Sequence, residues 1–157
     1  MGVTVSRGID NESLMDKLLE TQHTLPRHLE RAMRLVDRGD YADMIDEDTY
    51  VDVGWCFRTV QLCKPSIYIT VIKHLDLRPG LRFLNIGSGT GYLNTIVGLI
   101  LGYSGVNHGI EVEPYNVIYA NDHLRTFLSE SNAPLERDFC IPTFVRGNIL
   151  DLVLPVD

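Results

Sequence analysis

The chain has 157 residues, an apolar content of 45%, a net charge of −7 and a pI near 5.1. This length suits one hydrophobic core and one domain, and an acidic chain without a Lys/Arg stripe is not expected to bind nucleic acid. The longest apolar run, Tyr92 to Leu101, is too short for a bilayer span and no secretory leader pattern is present, so we expect a cytoplasmic protein.

The first residues carry a lipidation pattern. Met1-Gly2-Val3-Thr4-Val5-Ser6 fits N-myristoylation at Gly2 after removal of the methionine, although so short a pattern also arises by chance. One acyl chain gives only reversible membrane binding, and Arg7 alone adds positive charge nearby. We therefore expect residues 1–10 to form a flexible segment that makes at most transient membrane contact.

Two amphipathic helices are predicted next. Leu14 and Leu18 repeat at helical spacing after Asp10-Asn11, and a second helix begins near Pro26. Both are predicted to pack in the core. The acidic stretch 43–52 is predicted to be a solvated loop rather than a metal site, because loop carboxylates are more often surface groups than ligands.

The rest of the chain alternates helices and strands. Pro65 is placed to begin a helix that runs to about Leu75. A parallel strand over 81–86 follows, and the later predicted elements are a helix over 92–101, a strand over 106–111, a helix from 114 to about 129, a loop over 131–134 and a strand over 143–146. The odd cysteine count, without C-x-x-C spacing, predicts free thiols and no zinc site.

A glycine loop follows the first parallel strand. Gly87, Gly89 and Gly91 form G-x-G-x-G, with Tyr92 where a dinucleotide fingerprint needs its third glycine. This spacing disfavours a pyrophosphate and favours S-adenosylmethionine, whose charged amino-acid end the loop amides are expected to hold. Glu111 ends the second strand twenty positions after Gly91 and is predicted to bind the ribose.

These elements predict an α/β fold of the Rossmann-like, S-adenosylmethionine-dependent methyltransferase type. The strands account for only one side of a doubly wound sheet, so residues 1–157 are expected to be the N-terminal half of one such domain, with three parallel strands and their helices. The first strand, which includes Leu84 and Ile86, should then have an unpaired edge beside exposed apolar surface.

Several motifs together resemble the protein-L-isoaspartate (D-aspartate) O-methyltransferases. They are Asp37-Arg38-x-x-Tyr41, the loop ending in Pro65, Leu84-Asn85-Ile86-Gly87-Ser88-Gly89-Thr90-Gly91-Tyr92-Leu93, and Gly109-Ile110-Glu111. The chain is most similar to the isoaspartate methyltransferase domain-containing subgroup, on Asn107-His108-Gly109-Ile110-Glu111 and Phe139-Cys140-x-Pro142-x-Phe144-Val145-x-Gly147-Asn148. The resemblance implies methyl transfer from S-adenosylmethionine to the free carboxylate of isoaspartyl residues in damaged proteins.

The resemblance also implies site residues. Cys63 takes the position of the family's active-site Ser, and Asn148 with Ile149 borders the adenine. The implied cofactor-binding residues are Leu62, Lys64, Pro65, Gly87, Ser88, Gly89, Thr90, Gly91, Glu111, Val112, Asn148 and Ile149. No metal is implied.

Two positions depart from the family. The Cys63 thiol donates a weaker hydrogen bond than a hydroxyl, and Asn85 stands where the family has an acid. An alternative to catalysis is therefore a binding module that recognises damaged proteins. In the subgroup, a C-terminal extension recruits an elongin/cullin ubiquitin ligase, and nothing in these residues encodes that extension.

Overall fold

The computed structural model describes residues 5–21, 25–42, 45–136 and 138–151. Its helices are α1 (Asn11–Thr21), α2 (Arg27–Leu35), α3 (Pro65–Leu75), α4 (Tyr92–Leu101), α5 (Pro114–Glu130) and α6 (Ala133–Glu136). Its strands are β1 (Trp55–Phe57), β2 (Val60–Leu62), β3 (Arg82–Ile86), β4 (Val106–Glu111) and β5 (Thr143–Arg146), with 3₁₀ turns at Gly39–Tyr41 and Ile149–Asp151. Gly2 lies outside the described residues.

The parallel sheet has the order β3-β4-β5. Leu84 pairs with His108 and Ile110 pairs with Val145, so alternate residues of the three strands share a face. One face packs against α4 and α5. This topology and the strand bounds confirm the predicted Rossmann-like order of elements.

Helix α4 is the centre of the core. Ile96, Val97 and Leu101 have no exposed surface, and α4 packs against α2 as well as against β3 and β4. Helix α1 packs in turn on α2 through Leu14, Leu18 and their neighbours. The amphipathic pattern of both N-terminal helices therefore marks packing surfaces, as predicted.

Two carboxylates of the acidic stretch accept local hydrogen bonds. Asp52 accepts a hydrogen bond from the backbone N–H of Ser66 at 2.8 Å, which caps the first turn of α3. Asp46 accepts hydrogen bonds from the side chain of Thr49 and the backbone of Asp48. Asp46 is exposed, as expected of a solvated loop, whereas Asp52 is only partly exposed. The hydrogen bonds of these two carboxylates were not predicted from the sequence.

Two other elements differ from the sequence prediction. The antiparallel hairpin β1-β2 was not predicted, since its strands have three residues each and no alternation long enough to recognise. The predicted loop over 131–134 contains the start of α6 at Ala133, preceded by Ser131, whose hydroxyl accepts a hydrogen bond from the Ala133 N–H at 3.1 Å.

The outer edge of β3 pairs with no other described strand. On the face of the sheet opposite α4 and α5, Leu84 is 49% exposed, Ile86 57% and Val145 52%. The predicted unpaired edge beside exposed apolar surface is confirmed. None of the described helices is both long and apolar enough to cross a membrane.

Candidate functional site

A cavity of about 390 Å³ lies at the carboxyl end of the sheet, where parallel α/β folds bind their ligands. The hairpin β1-β2 and the start of α3 form one wall, and the glycine loop after β3 forms the other. The lining residues are Thr59, Gln61, Cys63, Tyr68, Asn85, Gly87, Ser88, Gly89, Leu93, Glu111, Glu113 and Asn116.

The glycine loop turns sharply between β3 and α4. Gly87, Gly89 and Gly91 all have positive φ, which other residues adopt only with strain. A side chain at Gly87 would meet nothing within 4 Å, whereas one at Gly91 would meet the Phe144 ring at 2.7 Å. Gly87 therefore keeps ligand space open, and Gly91 allows the loop to pack on the sheet.

The loop amides are already engaged. The N–H groups of Gly87 and Ser88 both donate to the carbonyl of Ile110, and that of Gly91 donates to the carbonyl of Ser88. We expected free N–H groups in the loop that could bind a negative group of the ligand, and these three N–H groups are not free. The parallel neighbour β4 accepts the hydrogen bonds of Gly87 and Ser88, and the loop itself accepts that of Gly91.

The carboxylate of Glu111 lies at the end of β4 and is 7% exposed. It accepts hydrogen bonds from the Gly89 N–H at 2.9 Å and from the Glu113 N–H at 3.1 Å. Each carboxylate oxygen can accept a further hydrogen bond. Glu111 thus ties the glycine loop to β4 and still presents acceptors to the cavity.

Cys63 is an exposed residue that lines the hairpin side of the cavity. Its backbone is held at both ends: its N–H donates to the Tyr68 hydroxyl at 3.0 Å, and its carbonyl accepts from Arg38 at 2.8 Å. Burial raises the pKa of Tyr68 above its usual range, so the phenol stays neutral. The thiol therefore projects from a fixed backbone.

Arg38 anchors this wall. Its buried guanidinium donates to the carbonyls of Thr49 at 3.0 Å, Val53 at 3.0 Å and Cys63 at 2.8 Å. Burial lowers the pKa of Arg38, but three carbonyl acceptors and the nearby Asp52 carboxylate compensate the charge. The guanidinium joins the end of α2 to both sides of the hairpin.

The hairpin turn is also fastened to α5. The Thr59 hydroxyl donates to Asn116 Oδ1 at 2.7 Å, and Asn116 Nδ2 donates back to the Thr59 carbonyl at 3.1 Å. Arg58, at the turn with a φ of 52°, lies over the rings of Phe57 and Tyr115. The hairpin wall of the cavity is therefore held in place by α5.

Ser88 has an unusual environment. Its Oγ is the single buried side-chain oxygen or nitrogen of the described residues that has no hydrogen-bond partner. It lies against Gly109, where an added side chain would come within 2.7 Å of the Ser88 Cβ. A hydroxyl left without a partner beside a cavity is a candidate for ligand contact.

The structure brings together five residues that the sequence analysis proposed for the site: Cys63, Gly87, Ser88, Gly89 and Glu111. The other proposed positions do not line this cavity: Leu62, Lys64, Pro65, Thr90, Gly91, Val112, Asn148 and Ile149. Among these, the Leu62 side chain is packed in the core, Val112 is 55% exposed, and the Asn148 side chain accepts a hydrogen bond from the Leu150 N–H.

Sequence reasoning missed the lining residues of the hairpin and of α5. Thr59, Gln61 and Asn116 are polar residues in segments without a recognisable motif, so no sequence signal pointed to them. Glu113 could have been found, because it lies two residues after Glu111, the last residue of β4. The described residues contain no group of three or more His, Cys, Asp or Glu side chains placed to hold a metal ion.

Comparisons with known proteins place this arrangement in a family. The family model for protein-L-isoaspartate(D-aspartate) O-methyltransferase (PCMT) matches residues 9–136. A protein-L-isoaspartate O-methyltransferase of Caenorhabditis elegans is 30% identical over 128 residues, which cover 80% of this chain and 56% of the relative. Protein-L-isoaspartate O-methyltransferase 1 of Arabidopsis thaliana is 30% identical over 111 residues, covering 66% and 46%.

Solved structures show the same fold. A crystal structure from Plasmodium falciparum, assigned as a protein-L-isoaspartate O-methyltransferase and in complex with S-adenosyl-L-homocysteine, matches with a TM-score of 0.74 and 22% identity. The match covers 92% of this chain and 66% of that one. The chain spans about half the length of the two relatives above. Because the family model covers most of its residues, the chain belongs to the protein-L-isoaspartate (D-aspartate) O-methyltransferase family.

Proposed function

We propose that this protein binds S-adenosylmethionine in the cavity between the glycine loop and the hairpin β1-β2. The observation that carries the proposal is the joining of the loop to a strand-end acid, through the hydrogen bond from the Gly89 N–H to Glu111 at 2.9 Å. A loop and an acid at adjacent strand ends hold the two ends of a nucleoside ligand. The family membership and the cavity volume support this proposal.

The residues present fit such a cofactor. Gly87 leaves open space, the Ser88 hydroxyl lacks a partner, and Glu111 has spare acceptor capacity. Leu93 and Tyr68 add apolar surface to the same cavity. A ligand with hydroxyl and ammonium donors and an apolar body matches this combination.

In the proposed arrangement the glycine loop contacts the methionine end and Glu111 accepts hydrogen bonds from the ribose hydroxyls. Asn148 and Ile149 follow β5 and are proposed to border the adenine, with Val112 beside the ribose. The cofactor supplies an electrophilic methyl group on its sulfonium. The chain's own residues bind and orient it, and Cys63 lies on the hairpin wall where a substrate carboxylate would approach.

We propose isoaspartyl-containing proteins as the substrate class, following the family. A recognition module with little or no turnover is the second candidate. Two observations favour it: a thiol at Cys63 replaces the family's hydroxyl, and an amide at Asn85 replaces its acid. Gly2 myristoylation and an elongin/cullin ubiquitin ligase partner stay predictions from the sequence and the resemblance.

Calorimetric titration tests cofactor binding directly. S-adenosylmethionine and S-adenosylhomocysteine should both bind, and NAD, which carries a pyrophosphate, should not. Binding of NAD with equal affinity, or no binding of either sulfur ligand, would contradict the proposal. Incorporation of a radiolabelled methyl group into an isoaspartyl peptide then separates an enzyme from a recognition module.

A further inference from the structure

Three asparagines form one chain of side-chain amides that begins at the cavity. Asn85 of β3 donates from Nδ2 to Asn94 Oδ1 at 2.8 Å, and Asn94 of α4 donates from Nδ2 to Asn107 Oδ1 at 2.8 Å. Asn94 and Asn107 are fully buried. Only Asn85 of the three lines the cavity.

Backbone carbonyls fix the direction of this chain. The carbonyls of Asn94 and His108 can only accept hydrogen bonds, and they face Asn107 Nδ2 at 2.8 Å and Asn94 Nδ2 at 3.1 Å. Neither amide can turn over without bringing its oxygen against a carbonyl. Asn94 must therefore present Oδ1 to Asn85, and Asn85 must donate to it from Nδ2.

The remaining atom is Asn85 Oδ1, which accepts no hydrogen bond from the described residues. We propose that the amide chain makes Asn85 a specificity-determining residue. It presents an uncharged acceptor of fixed orientation to the ammonium at the amino-acid end of the cofactor, beside Gly87 and Ser88. This inference rests on the proposed cofactor site.

The same geometry explains why an acid does not suit this position in this chain. A carboxylate at position 85 would have one oxygen about where Nδ2 lies, facing Asn94 Oδ1 at hydrogen-bond distance. Two acceptors at that distance repel each other. The departure from the family's acid is thus tied to Asn94 and Asn107, which lie away from the ligand.

The test uses Asn85→Leu, Asn85→Asp, Asn94→Ser and the double variant Asn85→Asp/Asn94→Ser in the full chain. Loss of the acceptor in Asn85→Leu should weaken S-adenosylhomocysteine binding about tenfold, the effect of one hydrogen bond to a charged group. Asn85→Asp should bind no tighter than the unchanged protein. It should also lower the melting temperature, and by less in the Asn94→Ser background, because a serine hydroxyl can donate to the carboxylate.

Each outcome decides the inference. Unchanged binding in Asn85→Leu, tighter binding in Asn85→Asp, or an equal loss of melting temperature in both backgrounds would overturn it. If the unchanged protein binds no S-adenosylhomocysteine, the proposed function fails, and with it the role of Asn85 toward the cofactor. The comparison of melting temperatures would still show whether the amide chain fixes the orientation of Asn85.

Discussion

At the residue scale, Glu111 is the acid on which cofactor binding should depend. Replacing Glu111 with Ala removes acceptors for the ribose and for the Gly89 N–H. The free energy of S-adenosylmethionine binding should weaken by at least about 1.5 kcal/mol, the scale of a charge-assisted hydrogen bond. Isothermal calorimetry measures this change.

Glu113→Gln is the matched control for that variant. Glu113 lines the same cavity and receives no ligand contact in the proposed arrangement, and its backbone N–H still donates to Glu111 after the substitution. Its affinity should stay close to that of the unchanged protein. Equal affinities for all three proteins would refute the assignment of Glu111.

Cys63 should limit methyl transfer. We expect transfer to an isoaspartyl peptide to be absent or very slow, because a thiol orients a carboxylate more weakly than a hydroxyl. Cys63→Ser should raise the rate, since the backbone at position 63 is already held by Tyr68 and Arg38. A radiolabelled-methyl assay compares the two, with Cys56→Ser, on the same hairpin, as the control.

The site residues that could be predicted from the sequence are those that belong to motifs. Gly87, Gly89 and Glu111, which the sequence proposes as cofactor-binding residues, line the cavity, because loop glycines and a strand-end acid have fixed spacing in this type of fold. Thr59 and Asn116 could not be predicted, because their pairing across 57 positions depends on how the hairpin docks on α5. Contacts of that range leave no pattern in one sequence.

At the element scale, Arg38 should determine whether the hairpin stays docked. Arg38→Met removes a buried donor from three carbonyls at once. The free energy of unfolding should fall by about 3 kcal/mol, because buried acceptors lose their partners. S-adenosylhomocysteine affinity should also fall, since the hairpin wall of the cavity loses the hydrogen bond from Arg38 to the Cys63 carbonyl. Chemical denaturation and calorimetry measure the two effects.

Arg34→Met is the control for that substitution. Arg34 lies in α2, which ends three residues before Arg38, and it pairs with Glu12, Asp16 and Glu30 near the surface, where ion pairs contribute little. Its loss should cost about 1 kcal/mol or less and leave ligand affinity unchanged. A similar cost for both arginines would contradict the anchoring role of Arg38.

The Asp10 cap of α1 should make the stability of the protein depend on pH. Hydrogen bonds from the hydroxyl and backbone N–H of Ser13 lower the pKa of Asp10 below its usual 3.8. The lowered folded-state pKa means that this stabilisation is present above the unfolded pKa and is lost as pH falls through the folded one. The gap in melting temperature between the unchanged protein and Asp10→Ala should therefore close at acid pH.

Asn serves as the control at the same position. Asp10→Asn keeps a capping acceptor without a titrating group, so its stability relative to Asp10→Ala should not depend on this carboxyl. A gap between the unchanged protein and Asp10→Ala that is constant from neutral to acid pH would contradict the cap. The sequence predicted this helix start, because Asp and Asn before an apolar repeat are typical caps.

At the scale of the whole molecule, the order of helices and strands could be read from the sequence, and the hairpin could not. Long apolar runs such as 92–101 fix an element by themselves. Three-residue strands such as Trp55–Phe57 exist only because Arg38, Asp52 and Asn116 hold the surrounding backbone. Tertiary contacts, rather than local preference, determine that part of the fold.

The exposed sheet face and the open edge of β3 should govern association of the 157-residue chain. Leu84, Ile86 and Val145 lie on that face, and an unpaired strand edge beside apolar surface is a template for association. The protein should bind a hydrophobic dye and self-associate as its concentration rises. Sedimentation velocity and dye fluorescence measure the two properties.

Charged substitutions locate that surface. Ile86→Lys combined with Val145→Lys should lower both dye fluorescence and self-association, because a lysine ammonium resists burial against a second apolar face. Ile118→Lys changes a residue of α5 that is 60% exposed and not on the sheet, and it should leave both properties unchanged. Equal effects of the double variant and of Ile118→Lys would show that the exposed sheet face does not mediate association. A monomeric unchanged protein with low dye fluorescence would show the same.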